Sequence, residues 1–294
     1  MMLPRGPTVS ASLAGYLACT WDVLVPKLGN VHVQRGFADA DVMDYLASAA
    51  AVAPLLDRVG ELGVGQSILE AVRRTRRVAK SNTNLGIVLL LVPLAAVPEE
   101  QRLREGIAEV LARLTVADSR LVFEAIRWAG PGGLGRVSEQ DVFEEPTLPL
   151  QAVMTLAAER DLVARQYAFN YADVFERGLE SLLAALEGGQ SWVQAVVACH
   201  LRLLAELGDS HVARKHGMAA SRELAQRAAE ILQAGWPERE AARRRFEACD
   251  AWLRQMGYNP GATADLVVAT LFVAFRDGYV PLPYQGRPGM EGPL

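Results

Sequence analysis

Apolar residues recur at spacings of three and four along almost the whole chain, and this spacing most constrains the fold. Leu179, Leu182, Leu183 and Leu186 are one example. Such a period places the apolar side chains on one face of an α-helix. Alternating β-branched segments bounded by tight turns are missing, whereas Ala and Leu, which are good helix formers, are abundant. The sequence therefore predicts an all-α fold.

Proline and glycine residues divide the periodic segments from one another. At a mean helix length of about 11 to 12 residues, the chain accommodates roughly ten to twelve helices. We expect a single compact catalytic domain over residues 1–278 and a poorly ordered tail over residues 279–294, which is rich in Pro and Gly. The segment 131–147 has neither helix nor strand periodicity, so it is a candidate lid.

Composition and charge exclude several classes of protein. The chain has 294 residues, of which 51% are hydrophobic, enough to bury a large core. A net charge of −4 argues against a general nucleic-acid binder, which needs a basic face. The longest apolar run, residues 85–97, contains Pro93 and is shorter than the roughly 20 residues that span a bilayer. Without a recognisable secretory signal either, we expect a cytoplasmic protein.

Cysteine and histidine patterns exclude other classes. Cys19, Cys199 and Cys249 are widely separated, so we expect reduced core thiols rather than disulfides or a zinc site. Neither His-Glu-x-x-His nor Gly-x-Ser-x-Gly occurs, which disfavours zinc and serine hydrolases. The Gly-rich segment 60–67 lacks the lysine that a phosphate-binding loop requires.

Four polar clusters border apolar runs, and this repeated arrangement predicts one shared site. The clusters are residues 39–44, 82–84, 209–217 and 259–265, and they border the runs 48–53, 85–92, 201–207 and 266–275. The third cluster places the acid Asp209 and the cations Arg214 and Lys215 within one or two helical turns. Such crowding suits a polyphosphate and its metal ion.

The first cluster has two interpretations. Asp41 and Asp44 share a helix face and could hold Mg²⁺, which prefers one or two carboxylates together with phosphate oxygens and water. Alternatively, an acid in this cluster caps the helix that follows. Lys27 precedes the cluster in a loop and adds a cation to the same junction.

The second and fourth clusters both stand at the start of a buried helix. Free amide N–H groups around Asn82, Thr83 and Gly86 suit a phosphate, although an ordinary cap explains the same residues. Gly261 allows close backbone approach, and Asp265 lies one turn into an apolar run. A carboxylate in that position should be paired, bind something, or neutralise its own helix terminus.

Two further acids, Asp118 and Asp161, lie in helical patterns of acidic and basic residues. These patterns fit exposed ion pairs with a spacing of four. Both acids also stand beside bulky apolar residues, where an ion pair is costly unless it is fully hydrogen-bonded. Structural and functional roles remain open for both.

Four motifs, taken in order, resemble the triphosphoribosyl-dephospho-CoA synthase family. They are Pro-Lys-x-Gly-Asn-Val (residues 26–31), Asn-Thr-Asn-Leu-Gly (82–86), Asp-Ser-x-x-Ala-Arg-Lys-x-Gly (209–217) and Asn-Pro-Gly-x-Thr-Ala-Asp-Leu (259–266). The resemblance covers nearly the whole chain. It implies an all-helical enzyme that moves the triphosphoribosyl group of ATP to the 2'-hydroxyl of 3'-dephospho-CoA and releases adenine. Mg²⁺ is the implied cofactor, and a homodimer is a candidate assembly.

The resemblance also implies three groups of site residues. Phosphate contacts fall to Lys27, Arg214 and Lys215, with Asn82, Thr83, Gly86 and Gly261 as the backbone cradle. The catalytic candidates are Asp44, Asp209 and Asp265, and the metal candidates are Asp44, Asp118 and Asp209, with Asp161 behind them.

The chain departs from the family pattern in two places. Leu28 replaces the usual proline, and Thr83-Asn84-Leu85-Gly86 stands where citrate-lyase members have Thr-His-Lys-Gly. A phosphate-binding lysine is therefore missing at that point. Two alternatives stay open: an ATP-dependent phosphotransferase or ligase-like enzyme in another cofactor pathway, such as pterin-linked one-carbon metabolism, and a non-catalytic helical ligand-binding protein.

Overall fold

A computed structural model describes residues 6–32 and 41–282. Within these ranges the protein forms fifteen α-helices and one π-helical segment, with no strand, which confirms the all-α prediction. The helices are α1 (Ala11–Leu24), α2 (Val42–Leu56), α3 (Val59–Leu62), α4 (Val64–Val78), α5 (Leu85–Ala95), α6 (Leu103–Ala112), α7 (Val116–Ala129), α8 (Leu150–Ala157), α9 (Leu162–Ala168), the π-helical segment (Asp173–Leu179), α10 (Glu180–Glu187), α11 (Trp192–Leu207), α12 (Ser210–His216), α13 (Met218–Gln233), α14 (Glu240–Met256) and α15 (Gly261–Arg276).

The predicted number of helices, roughly ten to twelve, is too low. Several helices are much shorter than the mean, and α3 has only 4 residues. Single glycines also separate consecutive helices. Gly63, with φ +81°, separates α3 from α4, and Gly217, with φ +93°, separates α12 from α13. Both dihedrals lie in the region that glycine adopts most readily, so one residue redirects the chain.

The two most apolar helices, α5 and α15, lie at the centre of the molecule. They contact each other, and α15 also packs against α1, α9, α11, α12 and the π-helical segment. Almost every residue of both helices is buried. None of the described helices is both long and apolar enough to cross a membrane. The burial of α5 and α15 explains why polar groups at their first turns face either a cavity or another helix.

Pro93 lies inside α5 and removes a backbone N–H, so the carbonyl of Leu89 loses its usual helical donor. The hydroxyl of Tyr167 donates to this carbonyl at 2.6 Å, and that of Tyr171 donates to the carbonyl of Leu90 at 2.9 Å. Both tyrosines are fully buried. Their hydroxyls therefore satisfy carbonyls inside the core, where water cannot replace the missing donor.

The end of α15 is fixed by Arg276 and Asp277. The Arg276 guanidinium donates to the carbonyls of Val97, Pro98 and Gln101, and the Asp277 carboxylate accepts from the N–H of Leu103. Beyond α15, Val280 belongs to the core, with 2% of its surface exposed. Most of the predicted tail, residues 283–294, lies outside the described residues.

The three cysteines are free thiols. Cys199 and Cys249 are buried, and Cys19 is half-buried. Burial raises the pKa of the Cys199 thiol to about 12, and it does the same for Cys249. They are therefore protonated thiols at neutral pH, as expected for packing residues.

Candidate functional site

Four helix N-termini meet at one cavity of about 1030 Å³. The helices are α5, α9, α12 and α15, and the residues that precede or begin each one line the cavity. The loop between α7 and α8 forms another wall, with many of residues 130–142 facing the cavity. The helix dipole makes N-termini partly positive, and the carboxylates of Asp161 and Asp209 already accept from N–H groups at the starts of α9, α12 and α15.

Three of the four polar clusters contribute described residues to this cavity; the second and fourth stand at the start of an apolar helix, and the third follows the apolar run 201–207. Asn82, Thr83 and Gly86 come from the second cluster. The third supplies Asp209, Arg214 and Lys215, and the fourth supplies Gly261 and Asp265. Of the first motif, only Asn30 and Val31 line the cavity.

Asp265 projects from the first turn of α15 against the first turn of α5. A Cβ atom built on Gly86 would lie 2.0 Å from its Oδ2 atom, so only glycine leaves room for the carboxylate. Within the described residues, no donor is hydrogen-bonded to this carboxylate. Burial raises the pKa of Asp265 well above its usual value, and the negative charges of Asp22, Asp209 and Asp161 raise it further.

Asp22 is a cavity residue that the sequence interpretation passed over. It lies in the last turn of α1, lines the cavity, and pairs with Lys27, whose Nζ is 2.9 Å from Oδ1. Lys27 also donates to the Asp22 carbonyl, and its side chain is fully buried. Lys27 therefore lies behind Asp22 and outside the cavity lining, in a position to orient a carboxylate rather than to touch a ligand.

Asp209 is buried and joins α12 to α15. Its Oδ1 accepts from the N–H of Val212 at 2.9 Å, and its Oδ2 accepts from the N–H and hydroxyl of Thr263 at 2.8 and 2.9 Å. Burial raises the pKa of Asp209, while these hydrogen bonds oppose the rise. Three donors occupy most of the acceptor capacity of a carboxylate, so little remains for a metal ion or a substrate proton.

Behind Thr263 lies His200, which is fully buried. Its Nε2 is 3.4 Å from the hydroxyl of Thr263, and its Nδ1 has no hydrogen-bond partner among the described residues. Burial, followed by the charge of Lys27, lowers the pKa of His200 well below its usual value. The imidazole is therefore neutral and belongs to the support of α15.

Asp44 and Asp118 cap helices and lie outside the cavity lining. Each occupies the third position of its helix in a reciprocal capping pair, Asp44 with Asp41 in α2 and Asp118 with Thr115 in α7. Asp118 also accepts from the N–H of Gly65 at 3.0 Å, which ties α7 to α4. The capping alternative weighed for the first cluster is thus found, with Asp41 as the N-cap of α2 and Asp44 as its reciprocal partner, and Asp118 has the same role as Asp44 in α7.

The segment that leads into α5 is held on both sides. Asn82 Oδ1 accepts from the N–H of Leu85 at 3.0 Å and so caps α5. The hydroxyl of Thr83 is 2.8 Å from that of Ser48 in α2. These contacts fix a polar backbone turn at the cavity wall.

Cationic side chains gather on one wall of the cavity, which we call the cationic wall. Arg160, Arg214 and Lys215 line the cavity, and Arg214 Nη1 is 3.4 Å from Asp161 Oδ2. This pair is about one-third exposed, so it can exchange partners with little loss of stability. His211 lies beside them with its pKa lowered to about 4 by burial, then by Lys215, Arg214 and His216, so it is neutral at pH 7.

Glycines bring the cavity walls close together at three places. Gly132 and Gly133 lie against Lys215 and Arg214, and a Cβ atom on Gly132 would be 3.4 Å from Lys215 Cε. A Cβ atom on Gly261 would be 2.8 Å from His211 Nδ1. The candidate lid therefore touches the cationic wall, although its motion stays a prediction.

The first and fourth motifs are in direct contact. Asn30 Nδ2 donates to Asn259 Oδ1 at 2.9 Å, and Asn30 Oδ1 is buried without a hydrogen-bond partner among the described residues. Gly29, with φ +67°, lies so close to Pro260 that a Cβ atom would be 2.8 Å from Pro260 Cδ. A free buried amide oxygen in the cavity lining is a ready acceptor for a ligand.

Sequence reasoning missed Asp22, Asn30 and Arg160 as cavity residues. A signal existed for Asp22, because it is a carboxylate in an otherwise apolar helix and lies five residues before Lys27. Asn30 belongs to a recognised motif without having been assigned a role, and Arg160 directly precedes Asp161. Within the described residues, no group of three or more His, Cys, Asp or Glu side chains is arranged to hold a metal ion.

Comparison with known proteins identifies the family. The model of the ATP:dephospho-CoA triphosphoribosyl transferase (CitG) family matches residues 9–282. The chain belongs to this family. The resemblance recognised from the four motifs is therefore confirmed.

Individual relatives are more distant. A Stutzerimonas stutzeri protein assigned as a 2-(5''-triphosphoribosyl)-3'-dephosphocoenzyme-A synthase is 32% identical over 113 residues, which are 38% of this chain and 39% of that protein. The synthase of that name from Klebsiella pneumoniae is 34% identical over 85 residues, 29% of this chain and 30% of its own. The matched segments thus span less than half of these two curated relatives.

A solved structure extends the likeness to the whole fold. A protein of Archaeoglobus fulgidus assigned as a triphosphoribosyl-dephospho-CoA synthase superposes with a TM-score of 0.63 at 28% identity. The match covers 80% of this chain and 99% of the other. The helical fold is therefore shared with that family member.

Proposed function

We propose that this protein transfers the triphosphoribosyl group of ATP to the 2'-hydroxyl of 3'-dephospho-CoA, or of a related cofactor precursor, and releases adenine. Membership of the family supports the reaction. The observation that carries it in this chain is that one cavity holds the cations Arg160, Arg214 and Lys215 together with the carboxylate of Asp265, which has no hydrogen-bond donor among the described residues. A polyphosphate and a proton-transfer group are thereby brought to one place.

The triphosphate would lie against the cationic wall. Arg160, Arg214 and Lys215 supply positive charge there, and the N-termini of α5 and α15 border the same cavity. Leu85 stands where citrate-lyase members have lysine, so the charge at the start of α5 is lower than in those proteins. In this chain Arg214 and Lys215 of α12, together with Arg160, make most of the phosphate contacts.

In the transfer step, the bond between C1' of the ATP ribose and N9 of adenine breaks, and a bond forms between C1' and the 2'-oxygen of the acceptor. Positive charge develops on the ribose during this step, and nearby carboxylates stabilise it. Asp265 accepts the proton of the attacking hydroxyl, and adenine gains one as it leaves. Protons therefore balance, and all three phosphates stay on the transferred group.

The donor set of the cavity fits Mg²⁺. Asp22 and Asp265 are hard oxygen ligands in the lining, and Mg²⁺ typically takes one or two carboxylates together with substrate phosphates and water. Asp22 is the residue that would hold the ion, which leaves Asp265 for the proton. The metal would neutralise charge on the triphosphate and lower the pKa of Asp265 toward the range of a working base.

The other sequence candidates take supporting roles in this scheme. Lys27 orients Asp22, and Asp209 fixes the first turn of α15 on which Asp265 stands. Asp44 and Asp118 cap α2 and α7. The candidate homodimer and the cytoplasmic location stay predictions.

Product analysis tests the proposal. Purified protein is incubated with Mg-ATP and 3'-dephospho-CoA, and the products are separated by liquid chromatography and identified by mass. We expect free adenine and an acceptor heavier by one triphosphoribosyl unit, in equal amounts. Formation of ADP or AMP without adenine would instead support a phosphotransferase or ligase. Turnover with a different precursor, and not with dephospho-CoA, would change the assigned acceptor but leave the assigned transfer reaction in place.

A further inference from the structure

One side of the cavity is apolar, and the proposed transfer step does not use it. Its wall is built from α7, α8 and the loop that joins them. The lining side chains there are Val122, Phe123, Ile126, Val153, Met154 and Leu156. Most of the carboxylates and cations described above come from α1, α12 and α15, whereas Glu139, Asp141 and Arg160 border the apolar wall in the α7–α8 loop and just after α8.

Of the apolar side chains that line this wall, Val122, Phe123, Val153 and Met154 are buried, whereas two others are exposed. Leu156 has 43% of its surface exposed and Val137, in the loop, has 38%. Apolar side chains left exposed in a concave wall lose contact with water when a ligand covers them, which favours binding. The wall therefore suits a neutral, largely apolar part of a ligand.

A cation stands directly at the edge of this wall. Arg160 Nη1 donates to the carbonyl of Leu156 at 3.1 Å, which holds the guanidinium beside the last turn of α8. Arg160 also lines the cavity together with Arg214 and Lys215. A phosphate bound to Arg160 would thus have an apolar surface on one side and the carboxylate cluster on the other.

We propose that the wall around Leu156 binds the pantetheine arm of the acceptor and makes this chain selective for an acceptor that carries such an arm. Arg160 would hold the diphosphate that joins the arm to the nucleoside. The ribose then lies toward Asp265, and the arm follows α8 away from it. This assignment rests on the proposed function and names the part of the acceptor that the wall recognises.

The test uses a matched pair of leucines. Leu156→Asp places a charge on the wall, whereas Leu13→Asp changes a leucine of equal exposure, 44%, in α1 and outside the cavity. Binding of 3'-dephospho-CoA and of ADP, which lacks the arm, is measured by calorimetry for the wild type and both variants. We expect Leu156→Asp to weaken dephospho-CoA binding by about tenfold and to leave ADP binding unchanged. Leu13→Asp should change neither.

Two results would overturn the assignment. Equal weakening of both ligands would show a general disturbance of the cavity, and unchanged binding of both would show that the arm lies elsewhere. Because the readout is binding, it is independent of turnover. If arm-dependent binding is lost in Leu156→Asp while the wild type releases no adenine, the proposed function fails and the arm site stands. If the wild type releases adenine and Leu156→Asp binds dephospho-CoA normally, the proposed function stands and the arm site fails.

Discussion

Gly86 and Asp265 are in contact across the first turns of α5 and α15. The contact leaves no room for a Cβ atom, since one on Gly86 would be 2.0 Å from Asp265 Oδ2. Gly86 is therefore required by the close approach of a side chain, and its own backbone is helical. A side chain at position 86 would displace the Asp265 carboxylate, which we assign as the proton acceptor.

Gly86→Ala should abolish most of the transfer activity. The added methyl group must displace the Asp265 carboxylate or push α5 from α15, and overpacking of this kind costs about 1–3 kcal/mol. Alanine also favours the helix by up to about 1 kcal/mol, so the change in unfolding free energy should be small. Adenine release and thermal unfolding measure the two effects.

Gly60→Ala is the control for this substitution. Gly60 is also helical, but nothing lies within 4 Å of a Cβ atom at that position. The activity of the Gly60→Ala variant should equal that of the wild type. Full activity in Gly86→Ala would show that the position of Asp265 does not matter for transfer.

Asp265→Asn should reduce turnover by about 100-fold or more, because the proton acceptor is lost. It should also change how stability depends on pH. The pKa of Asp265 in the folded protein is raised above its usual 3.8. As the pH rises above about 4, the unfolded chain loses this proton first, so the free energy of unfolding falls until the folded pKa is passed. In Asp265→Asn this fall in the free energy of unfolding with rising pH should be missing.

Urea unfolding from about pH 4 to about pH 8 measures the second effect. Glu105→Gln, an exposed acid outside the cavity, should leave the pH dependence as in the wild type. An unchanged pH dependence in Asp265→Asn would contradict the raised pKa. Retained turnover would exclude Asp265 as the proton acceptor.

Asp209→Asn tests whether Asp209 is structural. An amide cannot accept from all three donors, and a buried donor left without a partner costs about 1–3 kcal/mol. We expect the free energy of unfolding to fall by about 2–3 kcal/mol, measured by urea denaturation. A variant with wild-type stability and no turnover would assign Asp209 to the chemistry instead.

Arg214→Ala should raise the KM for ATP by about tenfold and affect kcat less, because Arg214 contacts phosphates in both the ground and transition states. Stability should change by less than about 1 kcal/mol, since the pair with Asp161 is partly exposed. Arg222→Ala, an exposed arginine of α13 outside the cavity, should leave the KM for ATP unchanged. A raised KM in both variants would indicate long-range attraction rather than contact.

Sequence reasoning predicted much of the fold because its strongest signal is local. The period of Leu179, Leu182, Leu183 and Leu186 predicts the helical stretch that ends in α10, and the apolar runs 85–92 and 266–275 predict α5 and α15. The number of helices was wrong because α3, α9 and α12 are short and because one glycine can separate two helices. Periodicity needs about two turns to register, so it does not resolve such breaks.

The candidate site was predictable where a polar cluster begins a buried helix. Asn82, Gly86 and Asp265 meet in the cavity because the helices they begin pack together at the centre of the molecule. Asp44 could not be separated from this group by sequence, since an acid near a helix start looks the same whether it caps the helix or faces a cavity. Lys27 was misplaced because its pairing with Asp22 depends on how the chain turns after α1.

Doubly labelled ATP gives the most direct test of the proposal that one cavity holds the triphosphate while Asp265 accepts the proton of the attacking hydroxyl and adenine departs. One isotope is placed in the adenine ring and another in the γ-phosphate, and the protein is incubated with this ATP, Mg²⁺ and 3'-dephospho-CoA. We expect the phosphate label to move to the acceptor and the ring label to appear as free adenine at the same rate. Both rates should fall together in Asp265→Asn. Transfer of the phosphate label with the ring label retained in ADP would contradict the proposal.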